Sequence, residues 1–175
     1  MVEQPGVKQP PTVTPSGERL APVPHGVTFR DLTTLVDHRG WLVELFNPAW
    51  NWHPGPLVHA YAFTVRPGIV KGWGRHERTE DRYCVLFGEA VTVLYDDRGD
   101  SPTRGLVAEI PLSEYRRCLM NIPVGIWHAT ANVGSTDFVA LNFKTAAFDH
   151  SDPDKYTLPI DTDQIPYRFP GVGGG

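Results

Sequence analysis

Apolar and polar positions alternate in short runs along most of the chain. Cys118, Met120 and Ile122 alternate into a turn marked by Pro123 and Gly125. Trp127, Ala129 and Ala131 then alternate with His128, Thr130 and Asn132 on the way out. The pattern predicts a strand, a tight turn and a second strand, with His128 near the start of the second and committed to one sheet face. Similar runs cover residues 27–32, 41–46, 57–65, 83–87, 91–95, 106–110 and 138–143. Turn signals separate them: His-Arg-Gly at 38–40, Arg-Pro-Gly at 66–68, Arg-Gly-Asp-Ser-Pro at 98–102 and Asn-Val-Gly-Ser at 132–135. Many short strands with Gly/Pro turns predict an all-β sandwich or barrel over residues 27–170. Helix is confined to a possible turn at 112–116. Residues 1–26 carry Pro5, Pro10, Pro11, Pro15, Pro22 and Pro24 and predict a disordered or extended arm. The glycine-rich end, 171–175, predicts a flexible tail.

Composition narrows the class. A chain of 175 residues supports one domain with a proper core. Sixteen basic and 20 acidic residues, spread evenly, leave no nucleic-acid footprint and no polybasic membrane segment. Cys84 and Cys118 both fall in apolar runs, which suits buried thiols in a reducing compartment. With no leader-like N-terminus and no apolar run of bilayer length, the expectation is a soluble cytoplasmic protein.

The spacing Pro123-x-Gly125-x-x-His128-x-x-x-Asn132 resembles the second motif of the cupin superfamily, whose fold is a double-stranded β-helix, or jelly-roll barrel. Four blocks make the likeness more specific. Asp37-His-Arg-Gly-Trp-Leu-Val-Glu44, Tyr95-Asp-Asp-Arg-Gly-Asp-Ser-Pro-Thr-Arg-Gly105, Ile122-Pro-Val-Gly-Ile-Trp-His128 and Asn142-Phe-Lys-Thr145 are similar to blocks of the dTDP-4-dehydrorhamnose 3,5-epimerase family. The resemblance implies a homodimer, paired through its early strands, that binds a nucleotide-linked 4-keto-6-deoxy sugar. It also implies epimerisation beside the ketone without a metal or other cofactor. Such chemistry needs a base to remove a proton alpha to the carbonyl, an acid to return one to the other face, and donors for the enolate oxygen.

Residue by residue, the likeness places the base at His76, in Lys71-Gly-Trp-Gly-Arg-His76, with Lys71 and His128 as enolate-stabilising groups. Arg39, Glu44, His59, Arg75, Arg82 and Phe143 are the candidate substrate contacts. Arg39 suits a phosphate, because a guanidinium fork pairs with its oxygens. Three positions depart from the family. Phe143 stands where the family has its acid tyrosine. The family lysine after the base falls on Asp81 or, one step away, Arg82. The aspartate that orients the family base, beyond the block resembled by Phe169-Pro170, has no counterpart. Tyr61, sharing a strand face with His59 and Phe63, is the candidate replacement acid, and Asp81 or Glu80 the candidate orienter of His76. Two other readings stay open. A binding module could keep the pocket without the chemistry. A metal-dependent cupin could use His76, Glu80 or Asp81, and His128, although Arg78 occupies the place of the second histidine in the usual motif.

Overall fold

The computed structural model describes residues 6, 8–17, 19–171 and 173–174. Its strands are β1 (Thr28–Asp31), β2 (Thr34–Asp37), β3 (Gly40–Val43), β4 (His59–Val65), β5 (Ile69–Arg75), β6 (Asp81–Phe87), β7 (Glu89–Asp96), β8 (Val107–Ser113), β9 (Cys118–Ile122), β10 (Ile126–Asn132), β11 (Phe138–Lys144), β12 (Tyr156–Thr157) and β13 (Gly173–Gly174). One sheet runs β1-β9-β6-β11-β4, and a second runs β12-β5-β10-β7-β8 with β13 beside β5. β2 and β3 form a separate hairpin. The two large sheets face each other as an all-β cupin jelly roll. Among the described residues, helix is limited to a single 3-10 turn at Pro48–Trp50, and the 113–116 segment is a turn. No helix among the described residues is long and apolar enough to cross a membrane.

Alternation along the strands sorts side chains into three apolar layers. Val65, Val85, Leu94, Ile110, Met120, Ile122, Ile126 and Phe138 pack between the sheets and fill one end of the barrel. The outer face of the second sheet (Val70, Trp73, Val93, Trp127) is covered by Leu158, Ile160, Ile165, Tyr167 and Phe169. The outer face of the first (Cys84, Leu119, Phe143) is covered by Leu32, Leu45, Trp50 and Trp52. Covering both outer faces removes them from water, so side chains directed inward at the other end of the barrel are free to line a cavity. Cys84 and Cys118 are free thiols, and burial pushes the Cys84 thiol up to about 12.

Three features modify the sequence expectation. β5 was hidden, because Lys71-Gly-Trp-Gly-Arg-His76 does not alternate. Its pairing with β10 shows why: His128 pairs with Gly74 and Thr130 with Lys71, so two β5 residues oppose Ala129 alone. A Cβ on Gly72 would lie 2.6 Å from the Ala129 Cα, so only glycine admits this approach. In the arm, Arg19 donates to the Glu109 carbonyl, and Arg98 to that of His25, so these parts lie on the chain's own barrel. Residues 1–5, 7 and 18 of the predicted arm, and 172 and 175 of the tail, lie outside the described residues. Gly173 and Gly174 pair with β5.

Candidate active site

A cavity of about 780 Å³ opens between the sheets at the end that the apolar core does not fill. The bulge in β5 sets one wall. An unbroken strand would turn Lys71 and His76 to opposite faces, since they are five residues apart. The extra residue returns both to the cavity, leaving Trp73 and Arg75 on the outside. The tight turn through Pro123 and Gly125 then brings His128 on β10 beside His76. Their rings stack with centroids 5.8 Å apart. The facing wall comes from β4, β6 and β11. Register pairs His59 with Lys144 and Tyr61 with Asn142, and Asn142 also pairs with Tyr83, so these residues share one inward face with Asp81.

Asp81 is the centre of the site, at 1% exposure. Its Oδ1 accepts from Lys144 Nζ and, at 2.8 Å, from Asn142 Nδ2. Its Oδ2 faces His128 Nε2 at 3.1 Å and His76 Nε2 at 3.4 Å, and accepts from the Tyr83 hydroxyl at 3.4 Å. Burial alone would raise its pKa. The imidazoles of His128 and His76 beside Oδ2 and the Lys144 ammonium on Oδ1 hold it well below the usual carboxylate range instead.

Both imidazoles are anchored from behind. His128 Nδ1 donates to the Ile126 carbonyl at 3.1 Å, and His76 Nδ1 donates to the Asp154 carbonyl. The Asp154 carboxylate in turn accepts from the backbone N–H groups of Glu77, Arg78 and Thr79, each at 2.9 Å. The loop after β11 thereby fixes the segment that carries His76 and anchors its ring through a group that the sequence did not reveal. Tyr61 stands on the opposite wall. Its hydroxyl accepts from Asn142 Nδ2 at 2.8 Å, which leaves its own proton free to be donated. Burial and the Asp81 charge, against that hydrogen bond, push its pKa up to about 12.

The remaining sequence candidates divide cleanly. His59 lines the cavity, edge-on to Tyr61 at 5.6 Å, as does Lys71, whose Nζ donates to the Thr64 carbonyl at 3.5 Å. Arg75 lies outside, over Trp127 at 4.7 Å. Arg82 is fully buried and donates to the carbonyls of Phe143 and Gly55, clamping the 55–56 segment to β11. Phe143 packs on the outer face against Phe46, because Asn142 and Lys144 take the inward positions on either side. Arg39 is exposed on the β2–β3 hairpin and ion-paired with Asp37 at 2.6 Å, and Glu44 accepts from Asn47. Glu80 pairs with His53 at 2.7 Å, so it does not orient His76. Lys144, Tyr83, Asn142 and Asp154 were not singled out from sequence. Strand pairing brings the first three to the site, and the loop after β11 brings Asp154. Asn142 and Lys144 did belong to a quoted block, and their alternation with Phe143 was the available signal.

Residues 35–156 match the polysaccharide biosynthesis C-terminal domain family. A probable low-salt glycan biosynthesis epimerase of Haloferax volcanii is 36% identical over 139 residues, 78% of this chain and 88% of that protein. The chain belongs to the polysaccharide biosynthesis C-terminal domain family. Among solved structures, a dTDP sugar isomerase from Desulfovibrio desulfuricans superposes with a TM-score of 0.79 at 24% identity, over 86% of this chain and 94% of the other. The dTDP-4-dehydrorhamnose 3,5-epimerase of Sulfolobus tokodaii gives 0.71 at 20%, over 86% of each. The likeness to that epimerase family read from the sequence thus extends to the fold, and this member of the polysaccharide biosynthesis family is built on the same cupin barrel.

Cupin barrels also house metals, and His76, Asp81 and His128 offer ligand atoms within 4.8 Å of one another. The donor set nevertheless does not fit a resident divalent cation. The Lys144 ammonium already binds the other oxygen of Asp81 and would stand beside the ion, uncompensated. Lys144 is the opposing charge, rather than Arg78, whose guanidinium is tied to Asp152 at 2.6 Å.

Proposed function

We propose that this protein is a metal-independent epimerase acting on a nucleotide-linked 4-keto-6-deoxy sugar, as a cytoplasmic homodimer. The observation that carries the reading is the placement of titratable groups on opposite walls of one cavity: the imidazoles of His76 and His128 on the second sheet, the proton-bearing hydroxyl of Tyr61 on the first. Inversion beside a ketone requires removal of a proton on one face and its return on the other. His76, with Nδ1–H held by Asp154, presents Nε2 as the base. The proton it takes then points to Asp81. Tyr61 keeps its proton at neutral pH and supplies it to the opposite face. His128 and Lys71 add positive or donating groups to the wall that receives the sugar. The family's polysaccharide setting and the epimerase name of the Haloferax relative support epimerisation of a sugar in glycan assembly.

NMR-detected exchange of the alpha proton with deuterated water, over a panel of 4-keto-6-deoxy sugar nucleotides, tests the proposal. Wild type exchanges at least one member. His76→Ala lowers the rate by ~10²–10⁴-fold, the usual worth of a positioned base. Tyr61→Phe spares proton removal more than product formation. Binding without exchange by wild type would convert the protein into a non-catalytic binding module. Elemental analysis showing about one equivalent of metal, lost in His128→Ala, would overturn metal independence.

A further inference from the structure

A carboxylate as buried as Asp81 stays charged only if every lone pair meets a cation or donor. Here one carboxylate serves an ammonium, an amide, a phenol and two imidazoles drawn from β6, β10, β11 and the residue that follows β5. Lys144 is the informative member. Its ammonium has three protons, lines the cavity and is fixed by Asp81, with further protons left for a ligand. Lys71, another lysine of the cavity, turns its ammonium to the Thr64 carbonyl instead.

Resting on the epimerase reading, we infer that Lys144 is a catalytic residue that holds the ketone oxygen and stabilises the enolate, and that Asp81 is the positioning residue that aims it. The step balances as follows. The alpha C–H bond breaks and its proton passes to His76 Nε2. The electron pair forms the C=C bond, and the carbonyl π pair moves to oxygen as an enolate against Lys144 Nζ. Collapse of the enolate takes the Tyr61 proton on the other face. The resulting imidazolium and tyrosinate return to their resting forms by exchange with water. Asp81 remains a carboxylate throughout, neutralising Lys144 at rest and the His76 imidazolium after proton removal.

The exchange assay on dTDP- and UDP-linked 4-keto-6-deoxyglucose tests this with Lys144→Ala, Lys144→Arg, Lys144→Met and Asp81→Asn. Lys144→Ala lowers kcat for exchange by ~10²–10³-fold, as expected for loss of an oxyanion donor, with KM changed by less than ~3-fold. Added ethylammonium restores part of the rate, and sodium at equal ionic strength does not. Lys144→Arg retains ~10-fold more activity than Lys144→Met, a comparison that decides the matter if the alanine variant does not fold. Asp81→Asn lowers kcat without rescue by the amine. Wild-type exchange with an unchanged kcat in Lys144→Ala, or equal rates for Lys144→Arg and Lys144→Met, overturns the inference and leaves the epimerase reading standing. Absence of exchange by wild type overturns both.

Discussion

At the scale of single residues, one step along β11 separates chemistry from packing. Lys144 meets Asp81 inside the barrel, while Phe143 packs outside against Phe46 beside Leu141. A hydroxyl added at 143 therefore cannot reach the cavity. Phe143→Tyr leaves exchange activity within about 2-fold of wild type, because no group that handles the substrate is touched. It lowers stability by about 1–3 kcal/mol, the cost of burying a hydroxyl without a partner, visible as a lower denaturant midpoint. A gain of turnover in this variant would show that the ring reaches the substrate. In the proposed mechanism the acid is Tyr61, which the raised pKa keeps protonated across the working range. The pH–rate profile should consequently show no alkaline loss from this group below about pH 10.

At the scale of elements, legibility followed how local each signal was. The β9-turn-β10 unit was plain, because Pro123, Gly125 and the alternation around His128 all act within a few residues. The Asp96-to-Thr103 turn was similarly open to reading: Asp96 accepts from Arg98 Nε at 2.9 Å, Ser101 Oγ at 2.6 Å and Thr103 Oγ1 at 2.7 Å. β5 was illegible because its bulge breaks the period that identifies a strand. The Asp81 cluster was only half legible for a different reason. Asp81 and Lys144 are far apart in the chain, and only the β6–β11 register brings them together. Asp154 escaped notice because it orients His76 through its backbone carbonyl, which carries no side-chain signature.

The Asp96 turn yields a pH prediction. Burial would raise its pKa, but hydrogen bonds from Arg98, Ser101 and Thr103 lower it well below the carboxylate norm of about 3.9. A folded-state pKa below the unfolded one means that the unfolded chain binds the proton more readily. The stabilisation is therefore complete above about pH 5 and is lost as pH falls through the lowered value. Asp96→Asn should melt at lower temperature than wild type at pH 7. The difference should shrink steadily below about pH 4, read by thermal denaturation across that range. A difference independent of pH would assign the turn's stability to shape alone.

At the scale of the whole molecule, the β2–β3 hairpin is the element that a single chain leaves unsatisfied. It joins neither large sheet, and its cross-strand pair Leu35 and Leu42 is 61% and 64% exposed, with Val36 at 76%. Trp41 is anchored, edge-on to Phe87 at 5.9 Å and beneath the Arg117 guanidinium at 4.3 Å. An apolar ladder with free strand edges is costly in water and prone to indiscriminate pairing. A second copy of the chain, related by a twofold axis, would cover it in a closed assembly. The same hairpin carries Arg39 at its tip. In a dimer this guanidinium would be presented to the neighbouring subunit, where a phosphate of the substrate could replace its Asp37 partner. Light scattering at micromolar concentration should give the mass of two chains, and Leu42→Lys should shift it toward one. If the tip also serves the neighbour's cavity, Arg39→Ala keeps the dimer and raises KM with kcat little changed, since it removes binding energy common to ground and transition states. A wild-type mass of one chain would sink the dimer, and an Arg39→Ala variant with unaltered KM would confine the hairpin to assembly.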